Sequence, residues 1–252
     1  KEENTSWTQH LLVTDEGKLK KNVANVVTFL RHHPLWKDII VYDDFTQKII
    51  LQKRSPAHQD VPGGSYPRAW RDEDDIFTTA WIQRHSRLEV GIETVARAVI
   101  AVSKIQRVHP VRTYLDSLIW DGTPRLDTWL TTYLQTPDTP YSRAVGTKWM
   151  LSAIARIYQP GCKADAMLIL EGKQGLKKST ALKTLASEAW FTDELADLGS
   201  KDACLQLQGA WIVELSELDG LSRTEVSRVK SFLTRTTDRY RAPYERHVLE
   251  NP

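Results

Sequence analysis

Apolar positions recur with two periods in the first hundred residues. Val23, Val26, Val27 and Leu30 share one helical face between 21 and 31, and Pro34 closes the run. Two short β-rich runs follow, 39–42 and 48–51, separated by Asp43-Asp44-Phe45-Thr46, which predicts a hairpin. Ser55-Pro56, Pro62-Gly63-Gly64 and Tyr66-Pro67 mark 53–67 as a surface loop. Asp72 then caps a helix to about Arg84, expected to bury Ile76, Phe77, Ala80 and Trp81. A further helix, Ile92 to Ile105, carries Val95, Ala96, Val99 and Val102 on its inner face. Residues 1–106 therefore predict a small α+β accessory domain, to which composition assigns no chemistry.

The pattern becomes helical over 107–160, with helices at Pro110–Leu118, Arg125–Leu134 and Tyr141–Tyr158. The turns Trp120-Asp121-Gly122-Thr123-Pro124 and Thr136-Pro137-Asp138 separate them. It changes again in 161–252. Ala166–Leu170 reads as an apolar strand, Gly172–Lys178 as a loop and Ser179–Ser187 as a helix. Ala210–Leu215 is a second strand, followed by a helix from Ser222 to Leu233. Strands alternating with helices predict an α/β sheet.

Composition narrows the picture modestly. The chain has 252 residues, 41% hydrophobic and 26% charged, with a net charge of +2, so a basic patch would have to be local. Nine tryptophans scattered from Trp7 to Trp211 read mostly as core filler. Cys162 and Cys204 form no spaced metal motif, which suits a reducing cytoplasm. No run approaches the roughly 20 apolar residues of a membrane helix, so no membrane partner is expected. A start at Lys1 without a signal-type segment, and an end just after a strand-like run, read as an excerpt of a longer chain.

The strongest chemical signal is Gly172-Lys173-Gln174-Gly175-Leu176-Lys177-Lys178-Ser179-Thr180, close to the phosphate-loop pattern G-x-x-x-x-G-K-[ST]. Such a loop curls between strand and helix so that backbone N–H groups meet phosphate oxygens. Lysine at 178 would reach the β- and γ-phosphates of ATP, and the Ser179 hydroxyl would hold Mg²⁺. The predicted nucleotide-binding set is Gly172, Gln174, Gly175, Lys177, Lys178, Ser179 and Thr180. Lys177 stands where the pattern has its second glycine, and a left-handed conformation there costs about 1 kcal/mol. The plainer alternative is a solvated turn carrying lysines, which the flanking strand and helix oppose.

A phosphate loop needs carboxylates at the end of a second strand. Trp211-Ile212-Val213-Glu214-Leu215-Ser216-Glu217 supplies them: Glu217 is favoured as the catalytic or Mg²⁺-holding carboxylate, with Glu214 second, beside Lys178. Between Arg223 and Arg246, seven basic residues outnumber three acidic ones, with Phe232, Tyr240 and Tyr244 interleaved. That mixture suits single-stranded nucleic acid, although a solvated helix face followed by a hairpin would look the same.

Several blocks together resemble the virulence-associated E proteins of phages and pathogenicity islands, relatives of superfamily 3 helicases and phage-plasmid primase ATPases. They are His109-Pro110-Val111-Arg112, Tyr114 to Leu118, Trp120-Asp121-Gly122, Pro124-Arg125-Leu126 and the phosphate loop. Trp190 to Asp193, Gly199 to Asp202, Glu214 to Asp219 and Thr237 to Tyr244 complete the set. The resemblance implies a P-loop NTPase sheet of the AAA+/superfamily 3 type and an ATP- and Mg²⁺-dependent motor. It also implies a homo-hexamer acting on single-stranded DNA in a bacterial cytoplasm. Lys230, Arg239 and Arg241 would then touch DNA, and a primase or origin-binding protein is the candidate further partner. A sensor strand between the phosphate-loop strand and the acidic strand, and an arginine finger, would lie beyond Pro252, leaving this sheet and site incomplete. Two other classes stay open: a non-hydrolysing DNA- or protein-binding module of the same ancestry, and a small-molecule P-loop kinase, for which no acceptor-pocket or lid residues can be named.

Overall fold

The computed structural model describes residues 6–194, 201–215, 223–234, 237–240 and 249–251. It is mixed α/β and divides into two compact units, Lys1–Pro110 and Val111–Pro252. The helices expected over 107–160 thus share a unit with the Gly172–Ser179 loop, apart from the turn at the boundary.

The first unit is built on a four-stranded sheet in the order β3-β2-β1-β4. Strands β1 (Ile40–Asp43) and β2 (Lys48–Leu51) form the predicted antiparallel hairpin, with Ile40 opposite Leu51. Its turn is fixed by Asp43 Oδ1, which accepts from Phe45 N (2.8 Å) and Thr46 N (3.2 Å). Short β3 (Arg68–Ala69) adds antiparallel to β2, and β4 (Arg107–Val108) adds parallel to β1. Helix α1 (Val23–His32) starts at Asn22, whose side chain accepts from Asn25 N. Buried Asn25 then reaches back, donating to Leu12 O and Lys20 O and accepting from Leu12 N, which satisfies a polar group in an apolar setting. Helix α3 (Ile92–Ile105) lays Val95, Ala98, Val99 and Val102 against α1 and β1, around Trp36, Leu30, Ile40 and Leu51.

Helix α2 (Asp72–His85) has the expected span but not the expected face. It buries Asp74, Thr78, Thr79 and Ile82, while Ile76 is 53% exposed and Phe77, Ala80 and Trp81 are half-buried. The reason is Asp74. Its carboxylate accepts from Arg68 at 2.7 Å through both oxygens, from His58 Nε2 at 2.6 Å and from Arg71 N at 2.7 Å. Four spacings of i, i+4 and i+8 then turn Thr78 and Ile82 inward with it. Burial alone would raise the Asp74 carboxyl, but the hydrogen bonds from Arg68 and Arg71 N outweigh it and hold the group below its ordinary range.

In the second unit, helices α4 (Pro110–Ser117), α5 (Trp129–Leu134) and α6 (Pro140–Tyr158) precede the loop. The middle helix begins four residues after the predicted Arg125, because Arg125 is held in the preceding turn by a two-armed pair with Asp121. A capping box of Thr139 and Ser142, with Pro140 in the first turn, starts α6. Gly146 lets α5 and α6 meet: a Cβ there would stand 2.8 Å from Trp129 Nε1 and 2.9 Å from Leu130 Cδ1. Beyond the loop come α7 (Lys178–Ala186), β5 (Phe191–Thr192), α8 (Lys201–Gln206), β6 (Ile212–Val213), α9 (Arg223–Leu233), β7 (Asp238–Tyr240) and β8 (Leu249–Asn251). Strands β5 and β6 pair in parallel, and β7 and β8 antiparallel.

One predicted strand does not form. Residues 166–170 join no ladder among the described residues, and Ile169 is 57% exposed. A strand exists only through a neighbour's hydrogen bonds, and here β5 and β6 satisfy each other. The predicted strand Ala210–Leu215 is likewise shortened to Ile212–Val213.

Candidate functional site: a glycine and lysine loop facing an acidic strand end

The loop 172–177 winds into α7 through three residues with positive φ. Two are glycines, Gly172 (φ 155°) and Gly175 (φ 86°); the third is Lys177 (φ 58°, ψ 32°) at the helix N-cap. Lysine in this left-handed well carries a cost of about 1 kcal/mol that glycine would not. Lys178, the first helical residue, folds back and donates from Nζ to Gly172 O (2.8 Å) and Lys173 O (3.2 Å), tying the end of the loop to its beginning. The loop's curl and the unpaired N–H groups of the first turn of α7 together make a place for an anion.

Across from the loop stands the end of β6. Ser179 Oγ donates to Glu214 Oε1 at 2.6 Å, joining residues 35 apart in sequence. Glu214 is itself placed by the sheet, since its N–H donates to Thr192 O of β5 at 2.8 Å. Its other oxygen, Oε2, is buried with no hydrogen-bond partner among the described residues. A cavity of about 570 Å³ opens between 167–172 and 212–215, with Lys178, Leu182 and Trp149 also on its wall.

Aromatic side chains carry this pair of strands. Trp211 Nε1 donates to Ala153 O of α6 (3.0 Å), and Trp211 N donates to Trp190 O (2.7 Å). Trp190 in turn packs on Tyr114 of α4, ring centroids 5.5 Å apart. Sequence reasoning had no means of finding these struts, because Trp190 and Trp211 carry no periodic signal of their own.

Of the predicted site residues, Gly172, Gln174, Gly175, Lys177, Lys178, Ser179 and Thr180 share this loop and helix start. Glu214 is the carboxylate that meets Ser179, whereas the favoured Glu217 lies outside the described residues. Lys230 is exposed on α9 beside buried Val229. Arg239 falls in β7, and Arg241 lies outside the described residues. Among the described residues no helix is long and apolar enough to cross a membrane.

These features define a mixed α/β protein whose second unit sets a glycine- and lysine-rich loop against a carboxylate at a strand end. The sequence pattern of the virulence-associated protein E-like domain matches residues 115–252, more than half of the chain, and the chain belongs to that family. Membership is consistent with a protein associated with phages or other mobile elements. No curated protein matches the chain.

Proposed function

We propose that the second unit is a P-loop nucleoside-triphosphatase module that binds Mg·ATP. In this reading it belongs to a replication helicase of a mobile element that acts on single-stranded DNA, in a homo-hexamer. The observation that carries the reading is the joint placement of Lys178, Ser179 and Glu214. The first closes the loop through Gly172 O and Lys173 O; the second donates to the third at 2.6 Å. A solvated turn with lysines would have no reason to meet a strand-end carboxylate.

The chain's residues divide the work as follows. Backbone N–H groups of 173–180 bind phosphate oxygens, and the Lys178 ammonium adds charge at the β- and γ-positions. Ser179 Oγ and Glu214 offer the hard oxygen donors that Mg²⁺ takes, and the buried, unpartnered Glu214 Oε2 fits a cation or its water shell. Mg²⁺, when bound, neutralises phosphate charge. The Ser179 proton can stay on Glu214 while the hydroxyl lone pair faces the ion, so the hydrogen bond orients the ligand. Glu217 is the carboxylate assigned to polarise the attacking water. Lys230, Arg239 and Arg241 are the residues assigned to DNA.

Titration calorimetry with Mg·ATP tests this by comparing the chain with Lys178→Ala. Binding by the parent and its loss in the variant support the reading; equal heats in both defeat it.

A second reading, a non-hydrolysing binding module of the same ancestry, draws on the unladdered segment 166–170. A loop whose leading segment lacks a strand neighbour is held less rigidly than phosphoryl transfer requires. Nucleotide binding without turnover, in a preparation that binds single-stranded DNA, would favour it.

A further inference from the structure

Lys177 is the position at which the loop departs from its pattern, and its surroundings in the fold do not account for it. It occupies the left-handed well (φ 58°, ψ 32°) where glycine is strain-free, and the same loop does use glycine at its other positive-φ positions, Gly172 and Gly175. The side chain makes no capping hydrogen bond to α7. It is exposed, and no carboxylate among the described residues pairs with it, whereas Lys183 on the same helix is paired with Glu188 at 2.7 Å. Strain without local compensation points outward, to something the folded chain alone does not supply.

The neighbouring lysine explains what that is. Lys178 directs its ammonium to Gly172 O and Lys173 O, so much of its donor capacity holds the loop together. A nucleoside triphosphate brings several negative charges to the loop. One lysine largely committed to loop carbonyls is a weak match for them.

We infer that Lys177 is a second phosphate-contacting cation of this loop, and that it biases the site toward triphosphate over diphosphate. The inference rests on the nucleotide-site reading above and deepens it. A lysine ammonium on its four-carbon stem is a mobile point charge, suited to charge spread over several phosphate oxygens rather than to one fixed fork. Being exposed, the contact is sensitive to salt. The apparent defect in the motif is then a specificity device.

The test measures Mg·ATP and Mg·ADP affinities and melting temperatures for the parent, Lys177→Gly, Lys177→Met, Lys177→Arg and Lys178→Ala. Lys177→Met keeps the stem and the backbone strain but removes the charge; it is expected to weaken ATP roughly tenfold and ADP less. Lys177→Arg keeps both affinities within about twofold. Lys177→Gly relieves the strain, so its melting temperature holds or rises while its ATP affinity falls as in Lys177→Met. Raising the salt concentration narrows the gap between parent and Lys177→Met. The inference is overturned if Lys177→Gly or Lys177→Met binds ATP as tightly as the parent while Lys178→Ala loses binding. If Lys178→Ala also binds undiminished, or the parent does not bind at all, it is the nucleotide-site reading that falls, and this inference with it.

Discussion

The two units bury their apolar residues in different ways. In the first, four strands and three helices enclose one continuous core in which Trp36, Leu51, Ile82, Leu88 and Val95 lose all contact with solvent. In the second, the described strands are two or three residues long, and large apolar side chains stay outside: Ile119 is 93% exposed and Trp120 76%. The contrast teaches where rigidity and chemistry sit. The unit with the closed core carries no cluster of chemical groups beyond a buried ion network. The unit with the open framework carries the loop, the lysines and the carboxylate. Binding elements are drawn from the less stable parts of a protein because they must accommodate a ligand.

Four substitutions would break or sharpen that contrast. The largest effect is expected from Asp74→Ala, which strands the partly buried Arg68 and the buried His58 without their shared carboxylate. Removing one partner of a buried pair costs about 3–5 kcal/mol, to be read as an early first-unit transition in urea unfolding. Because Asp74 is held below its ordinary range, its contribution is complete above about pH 4. It declines as pH falls through the lower folded-state value, so acid should erode the first unit's transition by this route.

Next comes Gly146→Ala. Overpacking against Trp129 and Leu130 costs about 1–3 kcal/mol, and the better helix propensity of alanine returns up to about 1 kcal/mol. The second unit's melting transition should fall while the first unit's stays. Ser179→Ala is expected to change stability by about 1 kcal/mol at most, yet to weaken ATP binding in the presence of Mg²⁺ far more than in its absence. Equal losses under both conditions would separate Ser179 from the ion. The smallest effect is expected from Trp120→Ala, within about 0.5 kcal/mol, since this side chain is mostly in water. A larger loss by thermal denaturation would mean that the second unit is less open than its exposed residues indicate.

Local signals were well written in the sequence. The Asp43–Gln47 turn, the apolar stripe of α3 and the Thr139 cap of α6 each rest on residues within one or two turns, and each element forms close to its predicted span. What depended on distant partners was not legible. The buried face of α2 is chosen by Asp74, which answers to Arg68 and His58 rather than to the apolar pattern of its own helix. Residues 166–170 are apolar and strand-like, but whether a ladder forms is decided by neighbours far along the chain. The tryptophans show the same limit. Trp36 and Trp129 are buried, Trp120 projects into solvent, and the other six are half-buried, so the reading of most of them as core filler overstated their burial. At the site, the loop could be read from spacing alone. The choice between Glu214 and Glu217 could not, because it turns on which carboxylate the β5–β6 register brings to Ser179.

The central claim is that a nucleotide is received by the second unit, between the loop and the end of β6. Amide hydrogen exchange with and without saturating Mg·ATP tests it most directly. Slower exchange over 172–182 and 212–215, with 23–108 unchanged, is the predicted result. Protection confined to the first unit, or none at 172–182 when calorimetry reports binding, would contradict it.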